Sequence, residues 1–279
     1  MTDTKLAGLV TFIYLGAFFF YLAALLRGTR PWATAAAWLA RGGFLLHSAS
    51  LLLRWRLSFA LGFGHPPLSN FYESLVFFSW SIVFVHLIVE TRSKTSSLGV
   101  FLIPLAFLVL AYAGISPTAD GRIQPLIPAL QSDWLTIHVL TCFLGYAFFS
   151  ASFALGLLIL MKGQEGSGGL KKSLAAMIPA PRALEELLFQ TAFMGLVFLG
   201  LGILTGAVWA HYAWGSYWSW DPKETWSLIT WLIFALLLHL RRLRGWEGRR
   251  LAWLAVLGFA AVLFTYLGVN YLPSLHSYL

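Results

Sequence analysis

The run WLTIHVLTCFLGYAFFSASFALGLLILM at 134–161 contains no Asp, Glu, Lys or Arg. A helix rises about 1.5 Å per residue, and a hydrocarbon core of roughly 30 Å needs about 20 apolar residues. The run is therefore long enough to cross a bilayer. A transmembrane β-strand is shorter and alternates in polarity, whereas this stretch is continuous and reads as a helix. Working outward, seven more apolar runs appear at about 6–26, 34–53, 71–90, 98–113, 187–209, 224–242 and 251–270. The run at 98–113 is short and holds Pro104. Composition agrees: 59% of the 279 residues are hydrophobic and 11% are charged, against about 25% charged in a soluble domain. The expectation is an all-α integral membrane protein, a polytopic bundle of about eight transmembrane helices forming a single membrane domain over 1–279. A Trp-rich loop lies on its outer side, and no soluble domain of any size is expected.

The net charge of +8 is first a matter of membrane topology, not of nucleic acid. The loops after the first, third, fifth and seventh runs hold Arg27, Arg30, Arg92, Lys94, Lys162, Lys171, Lys172, Arg182, Arg241, Arg242, Arg244, Arg249 and Arg250. The opposite side holds only Lys5, Arg54, Arg56, Arg122 and Lys223. Cytoplasmic loops carry the excess of Lys and Arg, so the first set is expected in the cytoplasm of a cell (inner or plasma) membrane. Both termini and the Trp-rich loop then face the outer, periplasmic side. The first run has a weak basic flank and no clear small-residue cleavage site, which reads as a retained helix. GQEGSGG at 163–169 reads as a flexible linker in a cytoplasmic loop. The single Cys142 excludes an internal disulfide, CxxC exchange chemistry and metal sites built from several cysteines.

Six of the 13 tryptophans crowd one short segment: Trp209, Trp214, Trp218, Trp220, Trp226 and Trp231. An interfacial aromatic belt spreads Trp over helix ends on both faces, whereas this cluster sits on one loop with Gly206, Gly215 and Asp221. It reads either as a belt or as an apolar platform for a large planar ligand. Asp221, Pro222 and Glu224 match N-cap, N1 and N3 of a capping box, which predicts a helix from about Pro222 and accounts structurally for both carboxylates. His138 and His276 lie on the outer side, flanking the Trp loop in sequence. Singly, each reads as a polar residue near a helix end; together with an aromatic platform they form a candidate bis-imidazole pair for haem iron. His239 follows Glu224 by 15 residues, about 22 Å along a helix, toward the cytoplasmic leaflet. An ionisable group at that depth is a functional candidate; the alternatives are a neutral imidazole bonded to a neighbouring helix, or one snorkelling to the basic loop.

The segment GAVWAHYAWGSYWSWDPKETWSLITWLIFALLLH (206–239) resembles the "WWD" signature of haem-handling proteins. With PLSNFYESLVFFSW (67–80), WLTIHVLTCFLGYAFFSASF (134–153) and GVNYLPSLHSYL (268–279), the chain from 67 to 279 resembles the CcsA/ResC family of System II cytochrome c biogenesis proteins. His211 stands where that pattern has Asn, and the first 60 residues carry little of the signature. The resemblance implies that haem b is the transported substrate, moved outward and presented to apocytochrome c, whose CxxCH thiols attack the vinyl groups. It makes His138 and His276 the external haem-iron ligands and His239 an intramembrane ligand. The companion of His239 is expected from a CcsB/ResB-like membrane subunit, with His86 and His47 as fallbacks. The haem platform is expected from Trp214, Gly215, Trp218, Trp220 and Asp221, within a haem-handling segment over 206–231. Lys223, Arg54, Arg56 and Arg122 are the outer-side cations available to the propionates. Haem, apocytochrome c, the partner subunit and the lipid bilayer are the expected partners, with no nucleic acid. The chain then acts as a subunit of a cytochrome c synthase complex with no catalytic side chain of its own. The competing readings are a permanent haem-binding electron-transfer cytochrome and a haem-free solute transporter gated by the Trp loop. Roles for His47, His65, His86 and His211 do not follow from the sequence.

Overall fold

The structure, a computed structural model, describes residues 2–162 and 178–273. They form eight α-helices: α1 (Asp3–Arg27), α2 (Arg30–Ala60), α3 (Phe71–Ser93), α4 (Gly99–Ile115), α5 (Asp133–Lys162), α6 (Pro181–Trp214), α7 (Pro222–Arg244) and α8 (Arg249–Tyr266). Single 3-10 turns at Pro128–Leu130 and Gly268–Tyr271 complete the regular structure, and no strand occurs among the described residues. Seven helices are long and apolar enough to cross a membrane. The eighth, α4, is 17 residues long and runs through Pro104. The protein is a multi-pass membrane protein, in line with the eight apolar runs. The Gly/Ser-rich linker predicted at 163–169 lies outside the described residues.

Local chemistry sets the helix ends. Asn70 caps α3 by accepting a hydrogen bond from the Glu73 amide, and Gly28, Gly215 and Gly245 close α1, α6 and α7 in the left-handed conformation, which glycine adopts without a Cβ penalty. The largest departure from the expected boundaries is α2, which continues past the predicted end at residue 53 to Ala60. Arg54 does not end the helix because its charge is satisfied inside the bundle. Its side chain is 3% exposed and pairs with Asp3 Oδ2 and Glu73 Oε1, each at 2.7 Å. It also donates to the carbonyls of Gly121 and Arg122.

These pairings establish an up-and-down order. Arg54 near the end of α2 meets the beginnings of α1 and α3. At the opposite end Tyr21, late in α1, donates to Glu90, late in α3. Glu185, early in α6, accepts from Arg241, late in α7, and from the Gly248 amide just before α8. The first four helices pack as one group and the last four as another. The two are joined where α3 meets α5, and where the Ser74 and Tyr266 hydroxyls lie 2.8 Å apart. The bundle thus has a Trp-loop end and a basic end.

The pair α5 and α6 is drawn together by small residues. A Cβ on Gly202 would lie 2.5 Å from Cys142 Sγ, and one on Gly145 would lie 2.9 Å from the Leu199 amide nitrogen. In lipid, where helix association depends on close backbone approach, this is the contact that Gly202 and Gly206, four residues apart on α6, permit.

Candidate functional site

At the Trp-loop end a cavity of about 80 Å³ opens between α5, α6, α7 and α8. His138, Cys142, Phe143 and Tyr146 of α5 line one wall, and Ile203 and Gly206 of α6 line the next. Tyr217 and Trp218 of the loop, Lys223, Glu224 and Ser227 of α7, and Tyr266 of α8 complete it. The His138 ring is fixed from both sides. Nδ1 lies 2.7 Å from the carbonyl oxygen of Gly202; a carbonyl only accepts, so Nδ1 carries the proton and Nε2 holds the lone pair. This is how metal-binding imidazoles are usually oriented. The indole of Trp209 lies nearly parallel to the ring, with centroids 6.3 Å apart and planes 15° apart.

The α6–α7 loop is built on the predicted capping box. Asp221 Oδ1 accepts from the Lys223 amide at 2.9 Å, and Glu224 Oε2 reaches back to the Asp221 amide at 3.3 Å and the Ser219 amide at 2.8 Å. Between Ser219 and Asp221, both bonded to Glu224, Trp220 takes a φ of 59°, a left-handed conformation unusual for a bulky residue. The residue is 69% exposed. The tryptophans are not coplanar. Trp209 and Trp214 meet edge to face at 4.7 Å, and Trp218 and Trp220 cross at 89°. Of Trp214, Trp218 and Trp220, it is Trp218 that lines the cavity. Trp209 is buried and donates its indole N–H to the Ala129 carbonyl, tying the α4–α5 loop to α6. His211 stacks on Tyr217 at 4.2 Å.

The other predicted residues are dispersed. His276 lies outside the described residues. His239 is exposed on the outward side of α7, in line with Leu232, Leu236 and Leu243 at helical spacing. The fallback companions His47 and His86 sit on α2 and α3. Both are fully enclosed among α1, α2 and α3, where they meet the hydroxyls of Tyr14 at 3.2 Å and Tyr21 at 3.0 Å. His65 is buried between the Pro66 and Gln124 carbonyls, pinning two loops together.

Among the cations expected on the outer side, Lys223 lines the cavity and the three arginines do not. Arg54 is consumed by its carboxylates and Arg56 is exposed. Arg122 is hydrogen-bonded to Asp120, whose carboxyl it holds at about 2. Sequence reasoning missed Tyr146 and Tyr266 as wall residues, together with the Gly202 carbonyl, and gave Gly206 and Tyr217, inside the 206–231 segment, no separate role. The Gly202–Gly206 spacing was a readable signal for close helix approach; nothing local marks the tyrosines.

The family model described as Cytochrome C assembly protein matches residues 68–276. A cytochrome c biogenesis protein CcsA of Pyropia yezoensis is 42% identical over 252 residues, covering 77% of this chain and 79% of that protein. The CcsA of Synechococcus sp. (strain JA-3-3Ab) is 40% identical over 290 residues, covering 85% and 83%. That of Chlamydomonas reinhardtii is 44% identical over 233 residues, covering 82% of this chain but 64% of its own length. Among solved structures, a cytochrome c heme lyase CcmF superposes with a TM-score of 0.73 at 19% identity, over 95% of this chain and 47% of that one, which is a likeness of fold. With the family match running over most of its length and relatives at this level of identity, the chain belongs to the cytochrome c assembly protein family.

Proposed function

We propose that this protein handles haem b in cytochrome c maturation. It holds haem at the Trp-loop end and presents it to apocytochrome c for thioether attachment, together with a CcsB/ResB-like membrane subunit. The relatives' names as cytochrome c biogenesis proteins support the process. The observation that carries the site is the His138 ring. Its Nδ1 proton is given to Gly202 and its Nε2 is left as the ligating nitrogen in a cavity walled by aromatic side chains. His276 is the second axial ligand in this reading; it follows Tyr266 of the cavity wall by ten positions.

The cavity of about 80 Å³ is well below the roughly 300 Å³ at which ligand pockets begin. Haem therefore lies across the mouth, with one axial face toward His138 and its edge against Trp218. Lys223 is the cation for a propionate. Bis-imidazole ligation keeps oxygen from the iron while leaving the vinyl edge open, and the incoming cytochrome's own His displaces one ligand to release product. His239, on an outward helix face, is the inner ligand of a second site completed by the partner subunit. The Trp-loop end faces outward in this reading, and the basic end faces the cytoplasm.

The test is the absorbance spectrum of the purified protein, alone and with its partner, for the wild type and for His138→Ala, His276→Ala and His239→Ala. A low-spin bis-imidazole spectrum that fades in the first two variants and returns with added imidazole is expected. Absence of haem from every preparation, partner included, would overturn the reading in favour of a Trp-loop gate. A permanent electron-transfer cytochrome is disfavoured because His47 and His86 engage tyrosines seven residues apart on α1, about 10 Å along the helix.

A further inference from the structure

At the basic end, far from the Trp loop, a groove of about 690 Å³ runs between the start of α2 and the end of α3. Three cations line it: Arg30 and Arg41 of α2, and Lys94 just after α3. Glu90 also lines it. The Glu90 side chain is 8% exposed. One oxygen, Oε1, accepts from the Tyr21 hydroxyl at 2.8 Å. The other, Oε2, is buried with no hydrogen-bond donor among the described residues, and the Arg41 guanidinium and His86 Nε2 each stand off at 4.0 Å. A buried carboxylate oxygen without a donor is costly and asks for an explanation.

We propose that this groove binds the headgroup of an amine-bearing phospholipid, its phosphate held by Arg30, Arg41 and Lys94 and its primary ammonium donating to Glu90 Oε2. Each half of the site constrains the ligand. The three cations call for a phosphate, while Glu90 calls for an N–H donor next to that phosphate. Phosphatidylethanolamine has both. Phosphatidylcholine has a phosphate but no ammonium N–H, and phosphatidylglycerol has no cation. Haem fails on the same ground, since its propionates would leave Oε2 facing like charge. The position suits a lipid: Trp38, 67% exposed with the Arg41 guanidinium 5.6 Å from its ring centre, marks the headgroup level of the bilayer.

The experiment reconstitutes the full chain in nanodiscs of equimolar phosphatidylethanolamine, phosphatidylcholine and phosphatidylglycerol, and counts lipids retained in native mass spectrometry. Preferential retention of phosphatidylethanolamine is expected. In Glu90→Gln the preference falls by about tenfold, the worth of one charge-assisted hydrogen bond, while Arg30→Ala combined with Lys94→Ala weakens retention of all three lipids. Equal retention of the three by the wild type, preference for phosphatidylglycerol, or a Glu90→Gln variant that keeps the preference would overturn the proposal. So would haem found bound to the wild type and lost from the Arg30→Ala Lys94→Ala variant. Should Glu90→Gln fail to fold, stepwise N-methylation of the ethanolamine decides on the wild-type chain. Retention is expected to drop when the last N–H is removed, and no change overturns the assignment. Free O-phosphoethanolamine is expected not to displace the lipid; displacement at equal concentration overturns the lipid assignment in favour of a soluble amino-phosphate.

Discussion

A β-carbon on Gly206 would stand 2.5 Å from Nδ1 of His138, so the absence of a side chain at 206 is what lets the imidazole reach the Gly202 carbonyl. No real Cβ tolerates that distance, and the ring must move for Gly206→Ala to be accommodated. The substitution is expected to cost about 1–3 kcal/mol in thermal unfolding, as overpacking does, and to remove the bis-imidazole absorbance as His138→Ala does. Gly42→Ala, where nothing lies within 4 Å of the added carbon, is the control. Equal spectra for Gly206→Ala and wild type would show that the ring position does not matter.

Arg54 holds two buried carboxylates, Glu73 fully enclosed and Asp3 nearly so. Removing it in Arg54→Leu leaves Asp3 and Glu73 buried without their cation, at a cost of about 3–5 kcal/mol. A sharp fall in the thermal unfolding midpoint and in membrane expression is expected. A variant as stable as wild type would mean that the cluster rearranges or takes up protons without penalty.

Trp220 carries a left-handed backbone under a side chain that disfavours it. Trp220→Gly and Trp220→Ala both remove the ring, but only glycine relieves the backbone, by about 1 kcal/mol. Trp220→Gly is therefore expected to unfold at higher temperature than Trp220→Ala. The reverse order would mean that the loop relaxes once the indole is gone.

His239 is exposed on α7 in line with apolar side chains. In a Cys142→Ser background, His239→Cys is expected to react with a membrane-permeant maleimide in the chain alone and to be protected about tenfold or more when the partner subunit is co-expressed, as for a site occluded by a bound protein. Equal labelling in both preparations would remove α7 as the partner-facing helix.

Much of the fold is legible along the chain. Eight apolar runs became eight helices, and Asp221-Pro222-Lys223-Glu224 became the capping box it spelled. The match to the family model from 68 to 276 falls within the stretch whose motifs carried the resemblance. These features are local: span length depends on successive side chains meeting lipid, and a cap depends on atoms three residues apart. The partners of the charged and imidazole groups were not legible in that way. Arg54 looked like a cation open to an anionic ligand and proved to be the buried hub of α1, α2 and α3. His47 and His86 looked interchangeable with other intramembrane histidines and proved to be enclosed by Tyr14 and Tyr21. Trp214 and Trp218, alike in sequence, were separated by the cavity wall. What the sequence determined by itself is the number of apolar helices and the cap that starts α7, because both depend on residues close together along the chain. Only the tertiary structure decided which nitrogen of His138 holds the proton and which cation lines the same cavity, because both depend on how α5, α6 and α7 are rotated against one another.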